Sequence, residues 1–192
     1  KPGAKGNVFK VYHEQGDAWD FSIQYNKRPS MYFILETSHY EKDGPKAVMH
    51  QTYTYGKSRI EQSIILTDGS RRLDFETKAY WYEDNKMLRT SFPVDISATD
   101  ATCDIQFGSI KRPTHDNTSF DMAKYEISAQ KWVDISQPDY GVALLNDCKY
   151  GYCVKENTLD LNLLRSPGYP DESADRGEHL FTYSLYPHPG NH

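Results

Sequence analysis

The sequence predicts an all-β fold, an antiparallel sandwich. Apolar and polar residues alternate with a period of two, no helix-period stripe runs for long, and turn signals recur between the alternating runs. A parallel sheet would need helices between its strands, and the sequence offers almost none. The early runs "SIQY", "MYFILET" and "SIILT" read as short strands. In "RLDFETKAYWYE", Leu73, Phe75, Thr77, Ala79 and Trp81 fall on one face and Asp74, Glu76, Lys78, Tyr80 and Tyr82 on the other. "FPVDIS" reads as a further strand, and in "TCDIQFGSI" Cys103, Ile105 and Phe107 share a face. The best helix candidate is short, Phe120 to Tyr125, although "AKYEISAQKW" alternates well enough to be a strand. Val142 to Leu145 form an apolar run, Leu159, Leu161 and Leu163 oppose Asp160 and Asn162, and Phe181, Tyr183 and Leu185 align. Turns are marked by Asp43-Gly44-Pro45, Asp68-Gly69, Glu83-Asp84-Asn85, Pro113 to Asn117, Gln137-Pro138-Asp139 and Lys155-Glu156-Asn157. No repeat or linker interrupts this series, so residues 1–192 are expected to form a single β-sandwich domain.

Composition narrows the function classes. A net charge of −5 without a basic stripe argues against nucleic acid as a partner. No apolar run approaches the roughly 20 residues of a membrane span, so no membrane partner is expected. Three cysteines, Cys103, Cys148 and Cys153, make no disulfide framework and point to a reducing, cytoplasmic compartment. Cys148 and Cys153 could still pair across a hairpin. The chain opens on Lys1 with no signal-peptide pattern, as a piece of a longer polypeptide would. Self-association is left open.

No self-contained active-site motif is present, and the seven histidines are scattered without ligand spacing, so no metal site is expected within the chain. Three polar clusters stand out. In "RPTHDNTSFD", Arg112 and His115 sit among Asx and Ser/Thr residues that either cap a long turn or form a rim facing a sugar or a second domain. In "NDCKYGY", Asn146 and Asp147 either make an ordinary strand-end turn, or Asp147, Lys149 and Tyr150 present a carboxylate, an amine and a phenol to a polyol. Arg165 ends a strand before the irregular segment "RSPGYPDESADRG", whose prolines could hold its guanidinium in place. Trp19, between Asp17 and Asp20, reads first as a structural Trp closing one end of the sandwich and second as a stacking platform.

Taken in order, "DAWD", "SRRLDFET", "FPVDI", "IQFGSIKRPTHDNTSFDMAKYE", "KWVDISQPDYGVALLNDCKYGY" and "LLRSPGYPDESADRGEHLFTYSLYPH" resemble the C-terminal β-domain of glycoside hydrolase family 38, the zinc-dependent class II α-mannosidases. The likeness is greatest to the branch with bacterial and cytosolic enzymes. The resemblance implies an antiparallel β-supersandwich of the galactose-mutarotase-like type. It also implies a retaining hydrolase of α-mannosides, whose N-terminal catalytic domain supplies the Asp nucleophile, the acid/base carboxylate and most or all of the zinc ligands. None of those motifs lies in this chain, so no catalytic residue, zinc ligand or other cofactor is expected in it. The expected partners are the protein's own N-terminal catalytic domain and an α-mannoside oligosaccharide. Arg165, in "LNLLRSP", matches an Arg that reaches toward the substrate in Golgi members, and Asn146 is a weaker positional match to an Asn near the same face. The Golgi pattern has a second Arg and an acidic pair where this chain has Ser166-Pro167. A stand-alone carbohydrate-binding module is the alternative reading. A complete mutarotase-like enzyme ranks last, since neither His115 nor His179 has an evident partner in the sequence.

Overall fold

Alternation at period two produces, among the residues described by the computed structural model (3–20, 22–27 and 30–192), fifteen strands and one short helix. In chain order they are β1 (Val8–His13), β2 (Met31–Tyr32), β3 (Ile34–Asp43), β4 (Lys46–Tyr55), β5 (Ser58–Thr67), β6 (Leu73–Trp81), β7 (Lys86–Pro93), β8 (Asp100–Ile105) and β9 (Gly108–Pro113). After α1 (Ser119–Ala123) come β10 (Ile127–Ser128), β11 (Trp132–Gln137), β12 (Tyr140–Asn146), β13 (Gly151–Lys155), β14 (Thr158–Ser166) and β15 (Gly177–Pro189). They assemble into a six-stranded sheet, β10-β13-β14-β7-β1-β2, and a nine-stranded sheet, β3-β4-β5-β6-β15-β12-β11-β8-β9. Every pairing is antiparallel, as the expected fold class requires.

Most of the alternating runs sit as their periodicity dictates. Phe75, Thr77, Ala79 and Trp81 of β6 all point into the space between the sheets, facing Phe9, Val11, Leu88 and Leu161 from the smaller sheet. Trp81 donates its buried indole N–H to Ser166 Oγ at the end of β14, so the largest core side chain also ties one sheet to the other. The departures have local causes. "SIQY" does not form a strand; it ends in a single 3-10 turn at Tyr25–Lys27, whose ring is buried. "FPVDIS" contributes only its first two residues, to β7. Phe107, aligned with Cys103 in sequence, lies fully exposed at positive φ in the β8–β9 turn, because the hairpin reverses there. The helix is shorter than expected and starts one residue earlier, where Thr118 and Asp121 close a reciprocal capping box. All three cysteines are free, and burial pushes the Cys103 thiol up to about 11 and the Cys153 thiol up to about 12.

The outer face of the smaller sheet is organised by an arginine. Arg89 of β7 is fully buried, with Nε donating to Asp160 of β14 and Nη1 donating to Glu126 Oε2 at 3.0 Å. Tyr25 packs its ring 5.4 Å from the guanidinium carbon and donates its hydroxyl to Glu126 Oε1 at 2.6 Å. Burial pushes both carboxyls up and the Arg89 charge pulls them back. Met87, Tyr12, Tyr25 and Tyr125 cluster beside this centre, so the segments before β2 and before β10 are folded down onto the sheet. Breaking one partner of a buried ion pair leaves uncompensated charge and costs about 3–5 kcal/mol. Arg89→Met is therefore expected to lose stability by that amount in urea unfolding, with Asp160 and Glu126 left as buried carboxyls without a cation.

Candidate functional site

The polar residues singled out in the sequence fall on three surfaces. The first is built by loops over the smaller sheet and centres on Arg165. Strict alternation from Leu159, Leu161 and Leu163 would turn Arg165 inward. A β-bulge between Asn162 and Leu164 inserts one residue, so Leu164 pairs with Leu88 on the core side and Arg165 pairs with Met87 on the outer side. There Arg165 Nε donates to Glu14 Oε2 at 2.9 Å and Nη2 donates to Glu14 Oε1 at 3.1 Å, a two-point grip on a carboxylate that is itself buried. Nη2 also donates to the carbonyls of Asp17 and Asp20, and Nη1 to that of Ala18 at 3.5 Å. The Arg165 backbone N–H donates to Asp175 Oδ2 at 2.9 Å, which binds the second loop to the same point.

Held this way, residues 14–20 form a tight loop. Asp17 Oδ1 accepts from the backbone N–H groups of Trp19 and Asp20 at 2.9 and 3.0 Å. Gly16 is required here for space, since a Cβ at that position would lie 2.1 Å from the Asp20 carbonyl oxygen. Trp19 is 73% exposed and Tyr169, across from it on the second loop, 63%. Their ring centroids are 5.9 Å apart, and the Ala18 N–H donates to the Tyr169 carbonyl at 2.9 Å. The expectation that Trp19 closes one end of the sandwich is thus corrected. The Asx turn at Asp17 and the Arg165 grip hold its backbone outside the core, and Trp81 occupies the interior. A separate cavity of about 500 Å³ against the same 14–20 loop is lined by Gly16, Asp17, Asp20, Ser22 and Tyr125. An exposed aromatic pair flanked by carboxylates and a phenol can stack on the C–H face of a sugar ring and accept from its hydroxyls.

The second surface is the outer face of the larger sheet. A groove of about 730 Å³ runs over β3 to β6 and β15, lined among others by His39, His50, Glu61, Ser63, Glu76 and Lys78. A smaller hollow of about 290 Å³ shares Glu76 and Thr182 with it and ends at Asn146 and Asp147. Asp147 Oδ2 accepts from the Thr182 N–H at 3.0 Å. Asn146 is buried, donating to Tyr152 Oη and to the Gln130 carbonyl and accepting from the Lys149 N–H, so its amide is the staple of a tight turn. Tyr150 is exposed, and Lys149 Nζ stands 4.6 Å from the Phe181 ring centroid.

Arg112 and His115 belong to a third place. His115 Nδ1 lies 3.6 Å from Asp121, the carboxylate of the capping box, and lines a cavity of about 600 Å³ with Thr114, Asn117, Gln137 and Glu156. Arg112 lies beside buried Cys103, whose thiol it favours in the ionised form. His179, for which the sequence suggests no partner, bonds the Asp175 carbonyl at 2.7 Å. The six residues therefore fall on three surfaces. Arg165 acts through the loops it holds, Asn146 through its turn, and Asp147 borders the groove. The sequence reading missed Glu14, Gly16 and Tyr169, which the bulge and the Arg165 grip bring together. It also missed the approach of His39 and His50, which the two-residue turn Gly44-Pro45 sets by pairing Asp43 with Lys46. Lysine cannot span Glu14 and three carbonyls with one ammonium. Arg165→Lys is expected to cost about 1.5–3 kcal/mol and to speed proteolytic cleavage within residues 14–20.

With this geometry in hand, similarity to known proteins can be stated. The description "Glycosyl hydrolases family 38 C-terminal domain" matches residues 1–173. Over 98% of the chain, it is 43% identical to alpha-mannosidase G of Dictyostelium discoideum and 49% identical to alpha-mannosidase 2C1 of Mus musculus. It spans only 18% and 19% of those two proteins. A crystal structure of an alpha-mannosidase from Enterococcus faecalis V583 superposes with a TM-score of 0.83 over 97% of this chain and 26% of that one, at 17% identity, which shows a shared fold. The chain belongs to the family of glycosyl hydrolase family 38 C-terminal domains.

Proposed function

We propose that this chain is the C-terminal β-domain of a retaining α-mannosidase of the bacterial and cytosolic branch, working in the cytoplasm as scaffold and active-site rim and inactive alone. The observation that carries this reading is its 43–49% identity, across nearly its whole length, to α-mannosidases of which it makes up less than a fifth. A retaining glycosidase needs two carboxyls about 5–5.5 Å apart across the scissile bond, one as nucleophile and one as acid/base. In this proposal those groups and the zinc ion belong to an N-terminal domain outside the chain, and zinc would supply Lewis-acid and orienting chemistry there. Among the described residues, the one group that could hold an ion, His39, Glu41 and His50, lies on the edge hairpin of the larger sheet, away from the Arg165 loops. It does not fit that role, and no step runs through it.

The chain's own contribution would be steric and polar. Arg165 fixes residues 14–20, which present Trp19 and the carboxylates of Asp17 and Asp20, while Asp147 offers a carboxylate at the end of the sheet groove. Alone, the chain is expected to leave p-nitrophenyl α-mannoside intact, and cleavage by it would overturn the proposal. Within the longer protein, Asp147→Ala should lower kcat/KM on that substrate at least tenfold, the loss of about 1.5–3 kcal/mol for a charge-assisted hydrogen bond, and Arg165→Ala should lower it at least tenfold by releasing the loop that carries Trp19. Values within twofold of wild type for both would remove the rim role.

A second reading rests on the exposed Trp19–Tyr169 pair. As a carbohydrate-binding module, the isolated chain would give saturable heat with mannose oligomers in calorimetry, abolished by Trp19→Ala. Absence of heat would dismiss that reading.

A further inference from the structure

His39 and His50 stand far apart in the sequence, but the β3–β4 hairpin makes them direct cross-strand partners. Their rings stack with centroids 4.8 Å apart and 25° between planes. Glu41, next on the same face of β3, brings Oε2 to 3.3 Å from His50 Nε2. One donor atom from each of the three residues lies within 4.8 Å of the other two. Behind them His50 Nδ1 meets Ser63 Oγ on β5 at 3.0 Å. We propose that His39, Glu41 and His50 form a binding site for a divalent transition-metal ion of the zinc, copper or nickel kind.

The geometry suits such an ion. Tetrahedral zinc with bonds of about 2.0–2.2 Å holds its donors roughly 3.3–3.5 Å apart. Glu41 and His50 already have that separation, and the His39 donor lies within 4.8 Å of both, on an exposed edge strand whose side chains can move to close the difference. Two imidazoles and one carboxylate select transition metals over magnesium or calcium, which prefer all-oxygen sites. Ser63 is placed to supply the outer contact that metal-binding histidines need: in the tautomer in which its Oγ accepts from Nδ1–H, the Nε2 lone pair faces Glu41 and His39.

Without an ion the same cluster has little to hold it together. The Glu41–His50 pair is open to solvent, where ion pairs contribute little. Protonating both stacked rings would set two positive charges side by side, whereas one metal ion satisfies all three groups. The surrounding charges do not oppose a cation, since Lys78 is paired with Glu178 at 2.8 Å and Arg59 with Glu61 at 2.6 Å. Three protein donors leave a coordination position open for water or a ligand, facing the groove described above.

The test titrates ZnCl2 into EDTA-treated, purified protein by calorimetry at about pH 7.5. Wild type is expected to bind one equivalent per chain in excess of any bound by the double variant His39→Gln/His50→Gln. His39→Gln and His50→Gln should each weaken that equivalent at least tenfold, and Ser63→Ala measurably less. His13→Gln, outside the cluster, should leave the isotherm unchanged. Affinity should fall toward pH 5.5, because imidazole must be deprotonated to ligate. Added NiCl2 should broaden the imidazole C–H resonances of His39 and His50 first. Circular dichroism and melting temperature establish that each variant is folded. Zinc isotherms indistinguishable from wild type in both single histidine variants, or no saturable binding up to about 1 mM, would overturn the proposal.

Discussion

Everything displayed over the smaller sheet depends on one buried cation. Arg89 lies under the segments that precede β2 and β10, and its two carboxylate partners come from β14 and from residue 126. Burying a guanidinium costs several kcal/mol unless its donors are met. Asp160 and Glu126 meet Nε and Nη1, Tyr25 bonds Glu126 in turn, and Nη2 is buried without a hydrogen-bond partner among the described residues, so the partial compensation of a buried charge becomes a constraint on where two loops lie. An apolar residue at position 89 could pack against Met87 and Tyr12 but would give those loops no directional contact. Arg165 repeats the device toward the end of β14 for residues 14–20, with Glu14 as its buried carboxylate. Two arginines on one sheet face thus hold the loop layer that the proposed function uses.

The strands were legible in the sequence because alternation records which side of a pleated ribbon is buried. β6 shows this best: every residue expected inward from Phe75 to Trp81 is buried. The loops were less legible because their geometry is set by single long-range contacts. Nothing in "LDLNLLRSP" announces that an extra residue is accommodated at Asn162–Leu164, yet that bulge decides whether Arg165 faces the core or the loops. "SIQY" alternates like a strand, but Tyr25 is drawn down onto Arg89 and closes a 3-10 turn instead. The turn chemistry of "RPTHDNTSFD" could be read locally, and the capping box at Thr118 and Asp121 is what such a sequence favours. The His39–His50 approach was legible in principle: once Gly44-Pro45 is taken as the two-residue turn, register follows by counting outward.

The same contrast bears on what the molecule can do. Strand residues fix a frame, whereas the groups able to meet a ligand lie on loops or on the outer face of the larger sheet. Of the residues proposed from the sequence, Asn146 and Arg165 spend their hydrogen bonds on the protein itself. Their effect on any substrate would pass through what they hold. Trp19 and Tyr169, by contrast, expose most of their aromatic surface, a cost that an isolated fold gains nothing from and that a bound ring or a neighbouring domain would relieve.

The two sheets themselves could slide without some specific registration, since a greasy interface is tolerant of small shifts. A buried polar network prevents this. Asn7, just before β1, donates to Gln62 on β5 at 2.6 Å and accepts from Tyr183 Oη on β15 at 2.6 Å and from Thr90 Oγ1 on β7 at 3.2 Å. Gln62 in turn donates to Thr77 Oγ1 and to Tyr183 Oη, each at 2.8 Å. Displacing one sheet by a residue would leave several of these groups unpaired in the core, at about 1–3 kcal/mol each. The network therefore locks the smaller sheet, with the loops that Arg89 and Arg165 hold, onto the larger one. The Trp19 loop and the sheet groove are kept in one fixed relation, which two surfaces meeting one extended ligand would require.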